Sequence, residues 1–229
     1  MINYLLHGDY QIASRQQLTS LISLAKQNQN EIIYLNGANL QLDNLIQASS
    51  ANSFFGDKTT IVIENLFSQR KSKALEIIFA WLKKYAGPVP IIFWDKKTIG
   101  KVLQRNLPKN TQVKEFKTPA LIFKLVEQLN PSTKPAALKL LQQTLINVPA
   151  ELIFYMICRQ IRQLILVKSS QPLKGAPWII GKLKNQADAF NMNQLLKLYQ
   201  NLYIIDQSIK TGQTMMPLEW HLTWWLSQI

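Results

Sequence analysis

The turn between a first strand and a first helix is where a phosphate-binding loop stands in nucleotide-hydrolysing α/β domains. Such a loop needs glycines so that backbone N–H groups wrap the phosphates, a lysine for the outer phosphates, and Ser or Thr for Mg²⁺. Here the turn reads Leu6-His7-Gly8-Asp9-Tyr10-Gln11-Ile12: one glycine, no Gly-Lys-Ser/Thr, and an aspartate where an anion would dock. The third strand ends Ile61-Val62-Ile63-Glu64-Asn65, with one acidic residue and no acidic pair to hold a metal-bound water. The groups that nucleotide hydrolysis requires are missing. Other chemistry is equally thin. His7 and His221 each end an apolar run and read as structural, and with the single Cys158 they cannot make a typical zinc site. There is no Gly-x-Ser-x-Gly elbow. Glu64 and Asp95, at adjacent strand ends, could hold a divalent ion. Two solvated carboxylates at strand ends is the preferred reading.

What remains is binding. The chain has 26 Lys+Arg against 13 Asp+Glu, a net charge of +13, a surplus that favours polyanions such as nucleic acid. Within 95–117, Lys96, Lys97, Lys101, Arg105, Lys109, Lys114 and Lys117 face only Asp95 and Glu115. They could track a phosphate backbone, or form a merely solvated face. Lys96, Lys97, Lys101 and Arg105 are the candidate DNA contacts. The second feature is Ser53-Phe54-Phe55-Gly56-Asp57-Lys58, directly before the third strand. Adjacent aromatics in a turn cannot easily both enter one core. Either one of them covers the sheet edge, or at least one is an anchor for a partner.

These residues need elements to position them. The hydrophobic fraction of 47% and charged fraction of 17% are those of a globular chain with a real core. Strand and helix patterns alternate: strands at 4–7, 31–35, 59–63, 90–94 and 112–116, the last an edge strand, with helices at 11–27, 40–48, 72–85 and 99–105. The third and fourth strands are apolar enough to be buried on both faces. Leu42, Leu45 and Ile46 lie on one side of the second helix, and Leu75, Ile78, Phe79 and Leu82 turn inward in the third. Five alternations imply a parallel sheet covered on both sides. After Pro119 the period is helical throughout, predicting helices near 119–129, 135–146, 149–169, 177–188, 192–211 and 217–227. The reading is therefore an α/β domain over 1–118 followed by an all-helical domain over 119–229. No signal peptide and no uninterrupted membrane span stand out, and a lone cysteine suits a reducing, cytoplasmic compartment. Cys158 itself reads as a buried structural thiol.

Together these pieces resemble the delta subunit of bacterial DNA polymerase III, the wrench of the clamp loader. The N-terminal half carries Tyr4-Leu5-Leu6-His7-Gly8-Asp9 and the Phe54-Phe55 turn. The C-terminal half is more specific. Glu151-Leu152-Ile153 leads to Arg159-Gln160-Ile161-Arg162-Gln163-Leu164, then Pro177-Trp178, Lys182-Leu183-Lys184, Gln186-Ala187, Phe190, Leu195, and Asp206-x-x-x-Lys210-Thr211-Gly212. No single motif decides; their order over some eighty residues does.

The resemblance implies an AAA+-like first domain without an ATP site, a clamp-binding pair in Phe54 and Phe55 that springs the ring open, and a helical collar that joins the other loader subunits. Arg159, Arg162, Asp206 and Lys210 are the implied collar residues. The implied partners are the sliding clamp (beta subunit), the gamma/tau and delta prime subunits, and primer-template DNA. No cofactor, metal, membrane or catalysis of its own is implied, although the holoenzyme is a DNA-directed DNA polymerase, a nucleotidyltransferase. One departure stands out. Family members usually carry a small helical lid before the collar, whereas here Pro119-Ala120-Leu121-Ile122-Phe123-Lys124-Leu125 already resembles the collar's entry, so most of the lid is absent. Two rival readings stay open: a stand-alone basic DNA-binding protein using the 96–117 cations, and a degenerate NTPase.

Overall fold

Five short strands, rich in β-branched and aromatic residues, pair in parallel. The computed structural model describes residues 2–50, 58–173 and 175–229. Its strands are β1 (Asn3–His7), β2 (Glu31–Asn36), β3 (Thr59–Glu64), β4 (Ile91–Asp95) and β5 (Thr111–Glu115), in the order β2-β3-β4-β1-β5. This is the parallel sheet that the alternation of strand and helix predicts. All of β4 and all but the last residue of β3 are buried, as an interior strand between helical layers must be, while edge strand β5 is largely exposed.

The helices of this unit are α1 (Gln11–Gln27), α2 (Leu42–Ser50), α3 (Lys73–Lys84) and α4 (Lys101–Gln104). One face of the sheet packs Leu5, Ile61, Ile63 and Phe93 in a core with Leu45 of α2 and Ile78 of α3. The other packs Leu6, Val62, Ile92 and Trp94 with Leu18 of α1. Ser72 caps α3, its hydroxyl accepting the Leu75 N–H at 3.2 Å, and Leu75, Ile78 and Leu82 turn inward. Each buried leucine or isoleucine contributes about 1.5–3 kcal/mol.

Two expectations need correction. Ile46 is exposed; Leu45 and Ala48, three apart and so stacked on one side, form the buried face of α2. And α4 is shorter than the predicted 99–105. The backbone N–H of Ile99 is spent on the His7 ring and its carbonyl accepts from the Gln104 side chain, so the helix starts only after Gly100.

The second unit is helical: α5 (Ala120–Glu127), α6 (Lys134–Leu145), α7 (Ala150–Lys168), α8 (Pro177–Asp188), α9 (Met192–Lys210) and α10 (Leu218–Ser227). Leu125, Leu141, Ile153, Ile157, Leu195 and Trp225 are buried in one core. The Trp225 indole N–H donates to the Leu198 carbonyl at 2.9 Å, which satisfies its one polar atom and ties α10 to α9. Asn191 and Gln194 close a reciprocal capping box at the start of α9. Among the described residues no helix is long and apolar enough to cross a membrane.

The chain divides into two compact units, Met1–Thr118 and Pro119–Ile229. Only residues 116–119 separate β5 from α5, which leaves no length for a lid domain at that point.

Candidate functional site

Parallel strands bring their C-terminal ends to one edge, and register places His7 opposite both Asp95 and Glu115, and Glu64 opposite Trp94. The phosphate-loop position is on this edge, and the chain's own residues occupy its backbone groups. Gly8 has φ +135°, and the Tyr10 N–H donates to the Phe116 carbonyl at 3.1 Å. The Asp9 carboxylate accepts the Thr118 N–H at 2.8 Å. The single glycine thus serves contact with the chain leaving β5.

Neither Glu64 nor Asp95 is the solvated strand end read from the sequence. Both Glu64 oxygens accept from the Arg15 guanidinium at 2.6 Å, and that guanidinium lies 3.5 Å from the centre of the Trp94 ring. The Trp94 indole N–H donates to Ser14 Oγ at 3.1 Å. Arg15 is about half exposed, so the ion pair contributes no more than about 1 kcal/mol, and the stacking about 0.5–1 kcal/mol. Asp95 is fully buried and accepts from the Phe67 N–H at 2.8 Å and from the Ser68 hydroxyl. Burial pushes its carboxyl up, opposed by those two hydrogen bonds. With both carboxylates so committed, they do not form the shared divalent site weighed above. No set of three His, Cys, Asp or Glu side chains gathers as a metal site among the described residues.

His7 is buried, and its Nδ1 accepts the Ile99 N–H at 3.1 Å, so the neutral ring carries its proton on Nε2. Burial lowers its pKa below the ordinary 6.5, with Glu115 raising it and Lys117 lowering it to smaller extents. The unfolded chain therefore takes up this proton first, and stability present above about pH 6.5 is lost as the pH falls toward the folded value. Asp95 has the opposite sign, because its raised pKa makes acidification favour the fold. A His7→Gln variant isolates the histidine: its melting temperature falls less between pH 7 and pH 5 than that of the parent. An equal fall in both proteins would remove His7 as a cause.

Lys96, Lys97, Lys101 and Arg105 all lie on the crossover from β4 to β5, in the turn after Asp95 and around α4. All four are exposed, and none forms an ion pair among the described residues. Lys117, by contrast, pairs with Glu115 at 3.2 Å. Phe54 and Phe55 lie outside the described residues.

In the helical unit the sequence-predicted residues fall on two different faces of α7. One face, with α9, forms an apolar groove of about 510 Å³ lined by Phe154, Tyr155, Tyr199, Tyr203 and Ile209, with Asp206 and Lys210 at its rim. Asp206 and Lys210 pair with each other at 2.7 Å across one helical turn. Cys158 lines this groove half-buried; burial, with Asp206 nearby, pushes its thiol up to about 11, so it is no nucleophile. The other face, with α5 and α8, forms a more polar groove of about 590 Å³ that Arg159 lines. Arg162 is exposed on the same helix and is in the lining of neither groove.

Residues 120–223, nearly the whole helical unit, match the family model of the DNA polymerase III delta subunit, C-terminal domain. The helical unit belongs to the DNA polymerase III delta subunit family. No curated protein matches the chain. Among solved structures it is similar to the Bacillus subtilis DNA clamp loader delta protein (YqeN), with 14% identity over 99% of this chain and 94% of that chain and a TM-score of 0.48. It is also similar to Drosophila ORC bound to poly(dA/dT) DNA and Cdc6, at 13% identity over 80% of this chain and 38% of that chain, TM-score 0.35. For Drosophila ORC bound to AT-rich DNA and Cdc6 the figures are 15%, 99%, 45% and 0.37. The chain spans less than half the length of those ORC chains.

Sequence reasoning missed Arg15 and the tyrosines of the delta-family domain. Arg15 belongs to a solvent-facing helical position, and nothing local says that it reaches Glu64, forty-nine residues on. Tyr155, Tyr199 and Tyr203 have a weak signal: large aromatics outside the buried stripe of α7 and α9.

Proposed function

We propose that this chain is a non-catalytic clamp-loader subunit that binds and opens the sliding clamp (beta subunit) in DNA replication. Phe54 and Phe55 are the clamp anchors, and sister gamma/tau subunits use the ATP. The observation that supports this best is the union of a delta-family helical domain with a parallel sheet whose phosphate-loop position is closed by its own Phe116 and Thr118. The Tyr10 and Thr118 N–H groups at that turn are already engaged by Phe116 and Asp9, so they are not free to wrap a phosphate. The apolar α7–α9 groove, rimmed by Asp206 and Lys210, is the collar face toward gamma/tau or delta prime. Tyrosine-rich apolar grooves with a polar rim are what an assembly interface requires. Arg159 lines the other groove of α7, so any collar role of its own is separate from this one. Lys96, Lys97, Lys101 and Arg105 contact primer-template DNA within the complex. The setting is the cytoplasm, where the free Cys158 stays reduced.

One reconstitution tests this. The full chain is captured on its own clamp, and calorimetry follows ATP. Capture is expected without ATP, with no heat of ATP binding by the lone chain. Changing Tyr155 and Tyr203 to Ser keeps clamp capture but loses entry into the loader complex. ATP binding by the lone chain, or capture that requires ATP, would remove the proposal. In the assembled loader, alanine at the four cations lowers the salt slope of primed-DNA binding.

A further inference from the structure

Every α-helix of the second unit but one carries a lysine or arginine. The exception is α10, which holds neither in a chain with 26 of them. Its inner face is set by Leu222, Trp225 and Leu226, all buried. Its outer face is two tryptophans. Trp220 and Trp224 stand one turn apart and are 66% and 52% exposed. Just before the helix, Met215 is fully exposed and Met216 half-exposed. That segment is held in place. The Met216 N–H donates to Thr214 Oγ1 at 3.1 Å, and the same oxygen lies 3.2 Å from Nε2 of His221 on α10. The four side chains thus form an apolar ridge set by the fold.

We infer that α10 is a self-association surface: it pairs antiparallel with α10 of a second copy of this chain, Trp220 of each meeting Trp224 of the other. Three observations select a second copy. The first is spacing. A twofold axis between two residues four apart on a helix brings each onto its counterpart, so the pair is complementary to itself. Tryptophan rings placed so can stack offset or edge to face. The second is charge. Two chains of net charge +13 repel each other, and α10 is the helix of this unit along which they approach without bringing cations together. The same lack of cations leaves the ridge nothing to hold the phosphates of an anionic membrane or a nucleic acid. The third is area. The two tryptophans and two methionines together expose on the order of 500 Å² of apolar surface, at the upper end for one patch on a monomer. Two copies then remove about 1,000 Å² from water, the lower limit for a specific interface. The dimer is accordingly weak and reversible, with a Kd in the micromolar range. Neither Trp220 nor Trp224 lines either groove described above, so the ridge offers no hole for a foreign side chain. The inference rests neither on clamp binding nor on the α7–α9 groove.

Sedimentation equilibrium of the full chain tests this, over loading concentrations that span the micromolar range. The parent should pass from monomer to dimer. The dimer should tighten as NaCl is raised, because salt screens the repulsion between two cationic chains. Trp224→Ala should weaken dimerisation by about thirtyfold or more, and Trp220→Ala alike, since each ring meets the other. Trp224→Phe should keep most of the affinity. Changing Tyr155 and Tyr203 to Ser, in the α7–α9 groove, should leave it unchanged. Both tryptophans are exposed, so where the parent is a monomer the variants should melt as it does. A parent that stays monomeric throughout the range overturns the inference. So does a dimer that survives Trp220→Ala combined with Trp224→Ala, one lost on changing the two tyrosines, or one that salt dissociates. A monomeric parent whose Trp224→Ala variant fails to enter the loader complex also overturns it, because α10 would then face a different subunit.

Discussion

Replacing Phe54 and Phe55 together by alanine abolishes capture of this chain by its sliding clamp and leaves its melting curve where it was. A buried aromatic at the centre of an interface typically costs about 2 kcal/mol or more when cut back to alanine. Two of them, even if not fully additive, bring the loss toward 4 kcal/mol, close to a thousandfold in Kd. The described core of the sheet is built from strand and helix residues such as Leu5, Ile61, Ile63, Phe93, Leu45 and Ile78. If the two phenylalanines are anchors, that core keeps its stability in the variant. Surface plasmon resonance against immobilised clamp gives the affinity, and circular dichroism gives the melt. Undiminished clamp binding removes the site assignment. A collapsed melt shows the pair to be core residues, which removes it equally.

The fold was legible where burial sets the pattern. β3 and β4 are apolar at nearly every position because helices cover both sides, and a continuous apolar run between turns has few other meanings. The helical unit announced itself through period and through prolines at helix starts, such as Pro177 at the first turn of α8. Details set by tertiary contacts were not legible. The start of α4 depends on a hydrogen bond from Ile99 to His7, ninety-two residues away, which no local pattern contains. The same holds for the candidate sites. That the phosphate loop lacks its chemistry can be read from seven residues. That Arg15 grips Glu64 over Trp94, and that Asp95 is buried instead of solvated, depends on strands brought side by side. Arg159 and Asp206 were chosen together as collar residues, yet one lines the polar groove and the other the apolar groove. Residue order along a helix does not say which neighbouring helix each face meets.

The second large effect is expected at Gly8, the one glycine of the turn after β1. At φ +135° the backbone is in a region that L side chains rarely adopt, and a Cβ there would stand 2.0 Å from the Phe116 carbonyl oxygen. That carbonyl accepts the Tyr10 N–H at 3.1 Å, and the Phe116 N–H donates to the His7 carbonyl at 2.7 Å. The obstacle is backbone on both sides, so a Gly8→Ala variant relaxes only by pulling the end of β5 away from β1. Strain of about 1–3 kcal/mol adds to the loss of one or two hydrogen bonds of about 0.5–1.5 kcal/mol each. A total near 3 kcal/mol lowers the melting temperature of a domain this size by 10 °C or more. Clamp capture by the fraction that stays folded should be unchanged, because nothing in the reading routes clamp binding through nucleotide at this turn. A glycine kept for phosphate contact behaves in the opposite way: the melt holds and an ATP response disappears. Differential scanning calorimetry with and without ATP separates the two, and an unshifted melt for Gly8→Ala would show that the contact with Phe116 is not what this glycine supports.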